Sequence, residues 1–205
     1  MSKNLIIVFA KNNILGTVKT RLAATIGDQM ALEVYNELLR ITENSTKEIP
    51  NTEVHIYFSN SINLEIWPKS KKFLQKGADL GERMQQAFTA SFDQGYQKVI
   101  GIGSDLPDIS KEIIVEAFKR LTQNDAVFGP SMDGGYYLLG MTQMIPEIFE
   151  NKPWSTEELL DLTLNELLQK KTSTSLLQTL NDIDTISDFE KSTLYQKFAS
   201  KLNPN

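Results

Sequence analysis

The side chains of this chain best placed for chemistry are carboxylates where apolar runs end, and a group of cations with no acidic neighbours. Val99 to Pro107 reads Val-Ile-Gly-Ile-Gly-Ser-Asp-Leu-Pro, an apolar run that stops at a carboxylate and a proline. If that run is a buried parallel strand, Asp105 leaves its carboxyl end, where open α/β sheets place ligands and a carboxylate can anchor a metal ion. Asp105 is equally suited to capping a turn or the helix that starts near Ser110. A second group, Asp182-Ile-Asp184-Thr-Ile-Ser-Asp188, places two carboxylates at i and i+2. On a strand they would share a face and approach one cation together with Asp105. They also suit the cap of the last helix, where Ser187 and Glu190 have capping-box spacing. Both readings stand at the level of sequence.

Cations cluster at the other end. Met1 to Gly27 contains Lys3, Lys11, Lys19 and Arg21 but no acid before Asp28. The stretch Ala10 to Ala23 follows an apolar run and leads into a helix containing Lys19 and Arg21, a suitable place for phosphates. It is neither a Walker A loop nor a dinucleotide fingerprint, since Gly16 stands alone. A small basic patch in a chain of net charge −5 suits a polyanionic small molecule better than a nucleic acid duplex, with plain surface solvation as the alternative. Two glycine-containing stretches complete the set. Gly129-Pro-Ser-Met-Asp-Gly-Gly-Tyr-Tyr137 reads as a hairpin turn whose Gly134-Gly135 pair also permits close backbone approach to a ligand. Gln75 to Met84 carries glycines into a helix that contains Arg83.

Positioning these groups requires alternating strands and helices. Period and punctuation predict strands over Asn4–Ala10, Glu53–Ser59, Gln97–Gly103, Ala126–Gly129 and Tyr136–Gly140, with a last short one over Thr179–Asp184. Helices are expected from Ala31 to Ile41, Leu80 to Phe92, Ile113 to Leu121, Thr156 to Leu168 (opened by Ser155) and Asp188 to Leu202. The pattern is a three-layer α/β/α fold around a mostly parallel sheet. With no repeat, linker or low-complexity tract, residues 1–205 read as a single domain. His55, the only histidine, alternates with Val54 and Ile56 and is taken as a sheet residue rather than a ligand.

Composition removes several classes. The absence of cysteine excludes a disulfide scaffold and any thiolate zinc site. Apolar runs are too short to span a bilayer, and Lys11 cuts the amino-terminal run below signal-peptide length, so a cytoplasmic location is expected.

Taken together, the segments resemble the GT-A-like nucleotide-diphospho-sugar transferase superfamily, and within it the rSAM/selenodomain-associated transferase family, also called arsenosugar-biosynthesis glycosyltransferases. The resemblance rests on Phe9-Ala-Lys11 with Gly16-x-Val-Lys-Thr-Arg-Leu-Ala23, Gly77 to Met84, Gly103-Ser-Asp-Leu-Pro107, Gly129 to Tyr137, Trp154-Ser-Thr156 and Asp182 to Thr185. These run in order over almost the whole chain. A more distant similarity links it to 2-phospholactate guanylyltransferase and to molybdenum-cofactor nucleotidyltransferases. The resemblance implies that Asp105 is the carboxylate of a DxD-like metal site and Asp184 the second ligand of Mg²⁺ or Mn²⁺. It implies that Lys11, Gly16, Lys19 and Arg21 hold nucleotide phosphates, and that Gln75 and Gly81 lie beside the base. It also puts Asp133, Gly134 and Trp154 on the donor-sugar or acceptor side. Asn13 and Leu15 depart from that family's pattern, which has prolines there.

The leading expectation is a metal-dependent glycosyltransferase that moves the activated group of a nucleotide sugar onto a small-molecule acceptor, with Asp133 orienting or deprotonating the acceptor hydroxyl. The alternatives are a nucleotidyltransferase that consumes a nucleoside triphosphate and releases pyrophosphate, and a nucleotide-binding module without turnover. Acceptor, base, sugar and oligomeric state leave no mark in the sequence.

Overall fold

The run Asn4–Ala10 forms β1, and its side chains alternate between two cores: Ile6 and Val8 belong to one, Leu5 and Ile7 to the other. A strand buried on both faces needs a covering layer on each. The computed structural model, which describes residues 4–202, supplies both layers. The remaining strands are β2 (Thr52–Phe58), β3 (Lys71–Leu74), β4 (Lys98–Gly103), β5 (Ala126–Pro130), β6 (Tyr136–Met141) and β7 (Thr174–Leu176). The helices are α1 (Thr20–Ile26), α2 (Asp28–Thr46), α3 (Leu80–Asp93), α4 (Lys111–Arg120), α5 (Leu159–Gln169), α6 (Ile186–Lys191) and α7 (Tyr195–Leu202). Residues of α1, α2, α4, α6 and α7 pack into one core, and those of α3 and α5 into the other.

The strands form one sheet in the order β3-β2-β1-β4-β6-β5-β7. Among the described strands only β6 runs against its neighbours, pairing antiparallel with β4 and β5, so the expectation of a mostly parallel sheet between helical layers holds. From β1 the chain builds outward through β2 and β3, then returns to place β4 on the other side of β1. The loops leaving β1 and β4 therefore part in opposite directions. A crevice opens where they part, at the carboxyl ends of the two strands. Asp105 lies just beyond the end of β4.

Four local expectations need correction. Residues 179–184 are not a strand: Leu180 forms one isolated bridge with Ser131, and the sheet's last strand is Thr174–Leu176. Its neighbour β5 ends at Pro130, which has no N–H to extend the ladder. Helix α5 starts at Leu159 rather than Thr156, because Ser155 adopts a left-handed conformation (φ +65°) in the preceding loop and Leu160 N donates to Gly134 O. The last helix is two helices, broken at extended Ser192, which lets Tyr195 and Phe198 fold back edge-on against Phe189. The capping box of α6 uses Thr185 and Asp188 rather than Ser187 and Glu190.

His55 is fully buried in β2, between the rings of Phe73 and Tyr96. Its Nε2 lies 3.4 Å from the Tyr96 hydroxyl, while Nδ1 has no partner. Burial, assisted by the Lys71 cation and opposed by Glu53, holds its pKa down at about 4. An unfolded imidazole protonates near 6.5, so between these values the unfolded chain binds more protons than the folded one. Stability is therefore present above pH 6.5 and lost as pH falls from 6.5 through about 4. Urea midpoints measured from pH 7.5 to pH 4 should fall over that window, and His55→Gln should flatten the decline.

Candidate functional site

Residues 177–184 run along the carboxyl ends of the strands, held by single backbone bonds. Leu177 N donates to Phe128 O, Leu180 N to Pro130 O, and Ile183 N to Asp105 O at 3.2 Å. The last bond joins the loop that ends β4 to the segment carrying Asp184. Ile183 is buried beneath it, and the Thr185–Asp188 box fixes the turn that follows, with Asp184 N donating to Asp188 Oδ2. Asp105 and Asp184, 79 positions apart in sequence, are thereby brought to one place.

Lys19 stands between them. Its Nζ is 2.9 Å from Asp105 Oδ2 and 3.1 Å from Asp184 Oδ1, and its side chain is 3% exposed. Burial works against the ammonium charge, but the Asp105 and Asp184 carboxylates outweigh it and hold the Lys19 pKa above its ordinary value. Lys19 caps α1 from a left-handed conformation (φ 49°, ψ 42°), so it precedes the helix that the sequence placed around it. Arg21 is exposed and its Nη1 lies 3.7 Å from Asp184 Oδ2.

A cavity of about 400 Å³ opens beside this pair. Asp105, Asp133, Asp182, Lys11 and Arg83 are its charged lining groups, and Phe9, Met84, Leu139, Tyr136 and Trp154 are among its apolar and aromatic ones. Asp182, the partner of Asp184 in the spaced pair, lines the cavity, whereas the family resemblance points to Asp184 alone. Its carboxyl is pushed up to about 6 by burial first and then by the negative charge of Asp184, with Lys19 opposing. The Tyr136 hydroxyl is buried without a partner, and burial raises its pKa.

The other candidate residues line the cavity or shape it, with the exception of Gly16. Lys11 lines it, and its backbone is clamped by Tyr35, whose hydroxyl accepts from Lys11 N, donates to Lys11 O and sits 3.2 Å from Ser104 Oγ. That phenol ties the end of β1 to α2 and to the end of β4. Tyr35 lies on the buried face of α2, and nothing in the sequence signals the role of its hydroxyl. Gln75 lines the cavity with its amide donating to Tyr57 O at 2.9 Å. Gly16 forms an exposed turn at φ +76° and lies outside the cavity wall. Asp133 Oδ1 accepts from Gly135 N at 3.0 Å and from Ser131 Oγ, which commits that oxygen to the hairpin turn.

Gly81 and Gly134 shape the wall. A Cβ on Gly81 would come within 2.3 Å of Trp154 Nε1, and one on Gly134 (φ +83°) within 2.0 Å of Glu157 O. The first obstacle is a side chain that can move, the second is backbone.

Donor chemistry fits a hard divalent cation: two carboxylates converge beside a cavity able to admit phosphate oxygens, and Mg²⁺ favours a few carboxylates plus substrate phosphates and water. Among the described residues, no group of three or more His, Cys, Asp or Glu is arranged to hold a metal by itself. None of the helices among them is long and apolar enough to cross a membrane.

Comparison with known proteins bears on the fold and on family. Residues 46–156 match the model of the family described as "Uncharacterized protein conserved in bacteria (DUF2064)". A structure from Desulfovibrio desulfuricans G20, provisionally described as a nucleotide-diphospho-sugar transferase, superposes with a TM-score of 0.88 at 28% identity, covering 98% of this chain and 97% of that one. The 4-diphosphocytidyl-2C-methyl-D-erythritol synthase of Anaerococcus prevotii DSM 20548 has a TM-score of 0.65 at 13% identity, covering 95% and 96%. The inositol-1-phosphate CTP transferase of T. maritima has a TM-score of 0.57 at 13% identity, covering 100% and 98%. A search of curated proteins finds no match. The α/β fold is thus that of the nucleotide-diphospho-sugar transferases, over nearly the whole chain.

Gly134→Ala should cost about 2 kcal/mol or more in urea unfolding, since left-handed backbone alone disfavours an L side chain by ~1–2 kcal/mol and the clash adds to it. Gly81→Ala should cost less and instead shift the emission of Trp154, read in a Trp67→Phe background.

Proposed function

We propose that this chain, which belongs to the family "Uncharacterized protein conserved in bacteria (DUF2064)", is a metal-dependent transferase that takes a nucleotide-activated donor and passes the activated group to a small-molecule acceptor. The observation that carries this reading is the convergence of Asp105 and Asp184 at the carboxyl ends of the strands, beside a 400 Å³ cavity at the switch point of the sheet. In this reading the two carboxylates hold Mg²⁺ or Mn²⁺, which when bound would neutralise charge on the leaving phosphate. Lys11, on the cavity wall, and Arg21, exposed beside Asp184, are the cations placed to meet phosphates. Gln75 fixes the end of the wall between β1 and β2, next to which the base would lie. Trp154, seated on Gly81, and Gly134, which sets the hairpin against α5, form the donor or acceptor side. Asp133 keeps one carboxylate oxygen for the turn and offers the other to an acceptor hydroxyl. Catalysis of this kind consists chiefly of positioning and of charge stabilisation.

Glycosyl transfer is the leading form of the reaction. It is supported by the lone glycine in the loop after β1, where many nucleotidyltransferases have a glycine-rich one. Within glycosyl transfer, the six-segment resemblance makes the arsenosugar-type transferases the finer reading. Nucleotidyl transfer is the second form, favoured by fold similarity to two proteins described as a diphosphocytidyl synthase and a CTP transferase. Action on small molecules rather than nucleic acid agrees with the acidic balance of the chain.

The leaving group decides between the forms. Incubation with Mg²⁺ or Mn²⁺ and panels of nucleotide sugars and nucleoside triphosphates should release nucleoside diphosphate in the first case and pyrophosphate in the second. Metal-independent nucleotide binding without turnover would make the chain a binding module instead. Asp105→Asn should weaken metal-dependent nucleotide binding in calorimetry by about tenfold or more, equivalent to ~1.4 kcal/mol. Asp133→Asn should lower turnover with nucleotide affinity unchanged, and full activity with unaltered acceptor binding would remove Asp133 from the mechanism.

A further inference from the structure

The ammonium of Lys19 is within hydrogen-bond distance of one oxygen of Asp105 and one of Asp184. A divalent cation held by the same two oxygens would need that space, and two cations sharing it would repel each other. We propose that Lys19 is the resident counter-ion of this carboxylate pair in the ligand-free protein, and that a divalent cation enters only as nucleotide phosphates draw the ammonium away, so that cation and nucleotide bind interdependently. The inference rests on the metal-dependent reading above and adds to it an order of events that the acidic site alone would not require.

Three further observations support the exchange. Bare, the carboxylates would repel one another: Asp105 and Asp184 meet at one point, and Asp133 and Asp182 line the same cavity as Asp105. A cation between them relieves that repulsion. Lys19 also has the means to move, because its four-carbon stem is flexible and its loop carries exposed Ile14 and Leu15 and the Gly16 turn. Its backbone is held at φ 49°, a conformation that a lysine keeps only while surrounding contacts impose it. Finally, exchange preserves the charge balance. The incoming cation takes the carboxylates, the incoming phosphates take the lysine, and neither Asp105 nor Asp184 is left without a counter-charge. A free cation arriving without a nucleotide would leave the ammonium with no anionic partner, so it binds poorly by itself.

Manganese titration followed by electron paramagnetic resonance tests this on the whole chain, with and without saturating CDP or GDP, for the unaltered protein and for Lys19→Met. The unaltered protein should bind Mn²⁺ weakly alone and about tenfold or more tightly with nucleotide, a coupling of ordinary size. Lys19→Met should bind Mn²⁺ without nucleotide about tenfold more tightly than the unaltered protein and lose most of the nucleotide dependence. Its melting temperature, lowered by the bare carboxylate pair, should recover when Mn²⁺ is added. Should the methionine variant fail to fold, Lys19→Gln retains a polar group between the two carboxylates and gives the same comparison. Equal Mn²⁺ affinity in all proteins, independent of nucleotide but abolished by Asp105→Asn, would overturn the inference while leaving the metal site intact. Absence of Mn²⁺ binding in every protein and condition would overturn the metal-dependent reading together with it.

Discussion

Three stretches of chain meet at one nitrogen. Lys19 follows β1, Asp105 ends β4 and Asp184 precedes α6, and the ion pairs among them join the amino-terminal loop, the centre of the sheet and the carboxyl-terminal segment. An ammonium almost wholly withdrawn from water survives only with its charge matched. The two carboxylates supply that match, and each would otherwise repel the other. The pairing constrains all three segments at once, and it gathers opposite charges where the sheet changes direction.

The surrounding structure makes the pairing possible without contributing charge. Ile183 donates its N–H to Asp105 O, and Tyr35 uses one hydroxyl on both backbone groups of Lys11 while touching Ser104. Such bonds contribute only about 1 kcal/mol each on average. Their effect lies in geometry: they hold the ends of β1 and β4 and the segment before α6 at fixed separation, so the side chains have little left to lose when they pair. The capping box of α6 serves the same end from the other side, since Asp188 satisfies the N–H groups of Asp184 and Thr185.

The sequence displayed the scaffold more clearly than the site. β1, β2, β4, β5 and β6 follow from apolar runs bounded by turn residues, and the amphipathic helices α2, α3 and α4 from spacing, because each is long enough to show its period. β3 is a four-residue edge strand containing Lys71 and Lys72, the kind of charged edge that prevents unwanted pairing and so hides the strand pattern. β7 is three residues of mixed polarity at the opposite edge. The convergence of Asp105 and Asp184 was readable as an expectation, since a strand end and a pair of spaced carboxylates are local signals. The place of Lys19 was not. A lysine in a loop after a strand looks the same whether it faces phosphate or carboxylate, and only the tertiary path of residues 177–184 decides between them. The same limit applies to Gly81 and Gly134, whose need for hydrogen in place of a side chain arises from Trp154 and from Glu157, more than twenty positions away in each case.

The cavity separates two kinds of surface. Charge comes from Asp105, Asp133, Asp182 and Lys11 and, on α3, from Arg83, whereas Phe9, Leu139, Tyr136 and Trp154 offer rings and apolar atoms. A ligand that filled such a space would gain most of its burial from the aromatic side and most of its orientation from the charged one. Charge placed inside the apolar part would be costly without partners, and the free Tyr136 hydroxyl shows how few partners that part provides. In the proposed reading a phosphate-bearing end meets Asp105, Asp133 and Asp182 only with a cation between them, since bare carboxylates repel it. That requirement does not depend on which ligand occupies the cavity. It follows from where the fold puts its carboxylates and the cation that balances them.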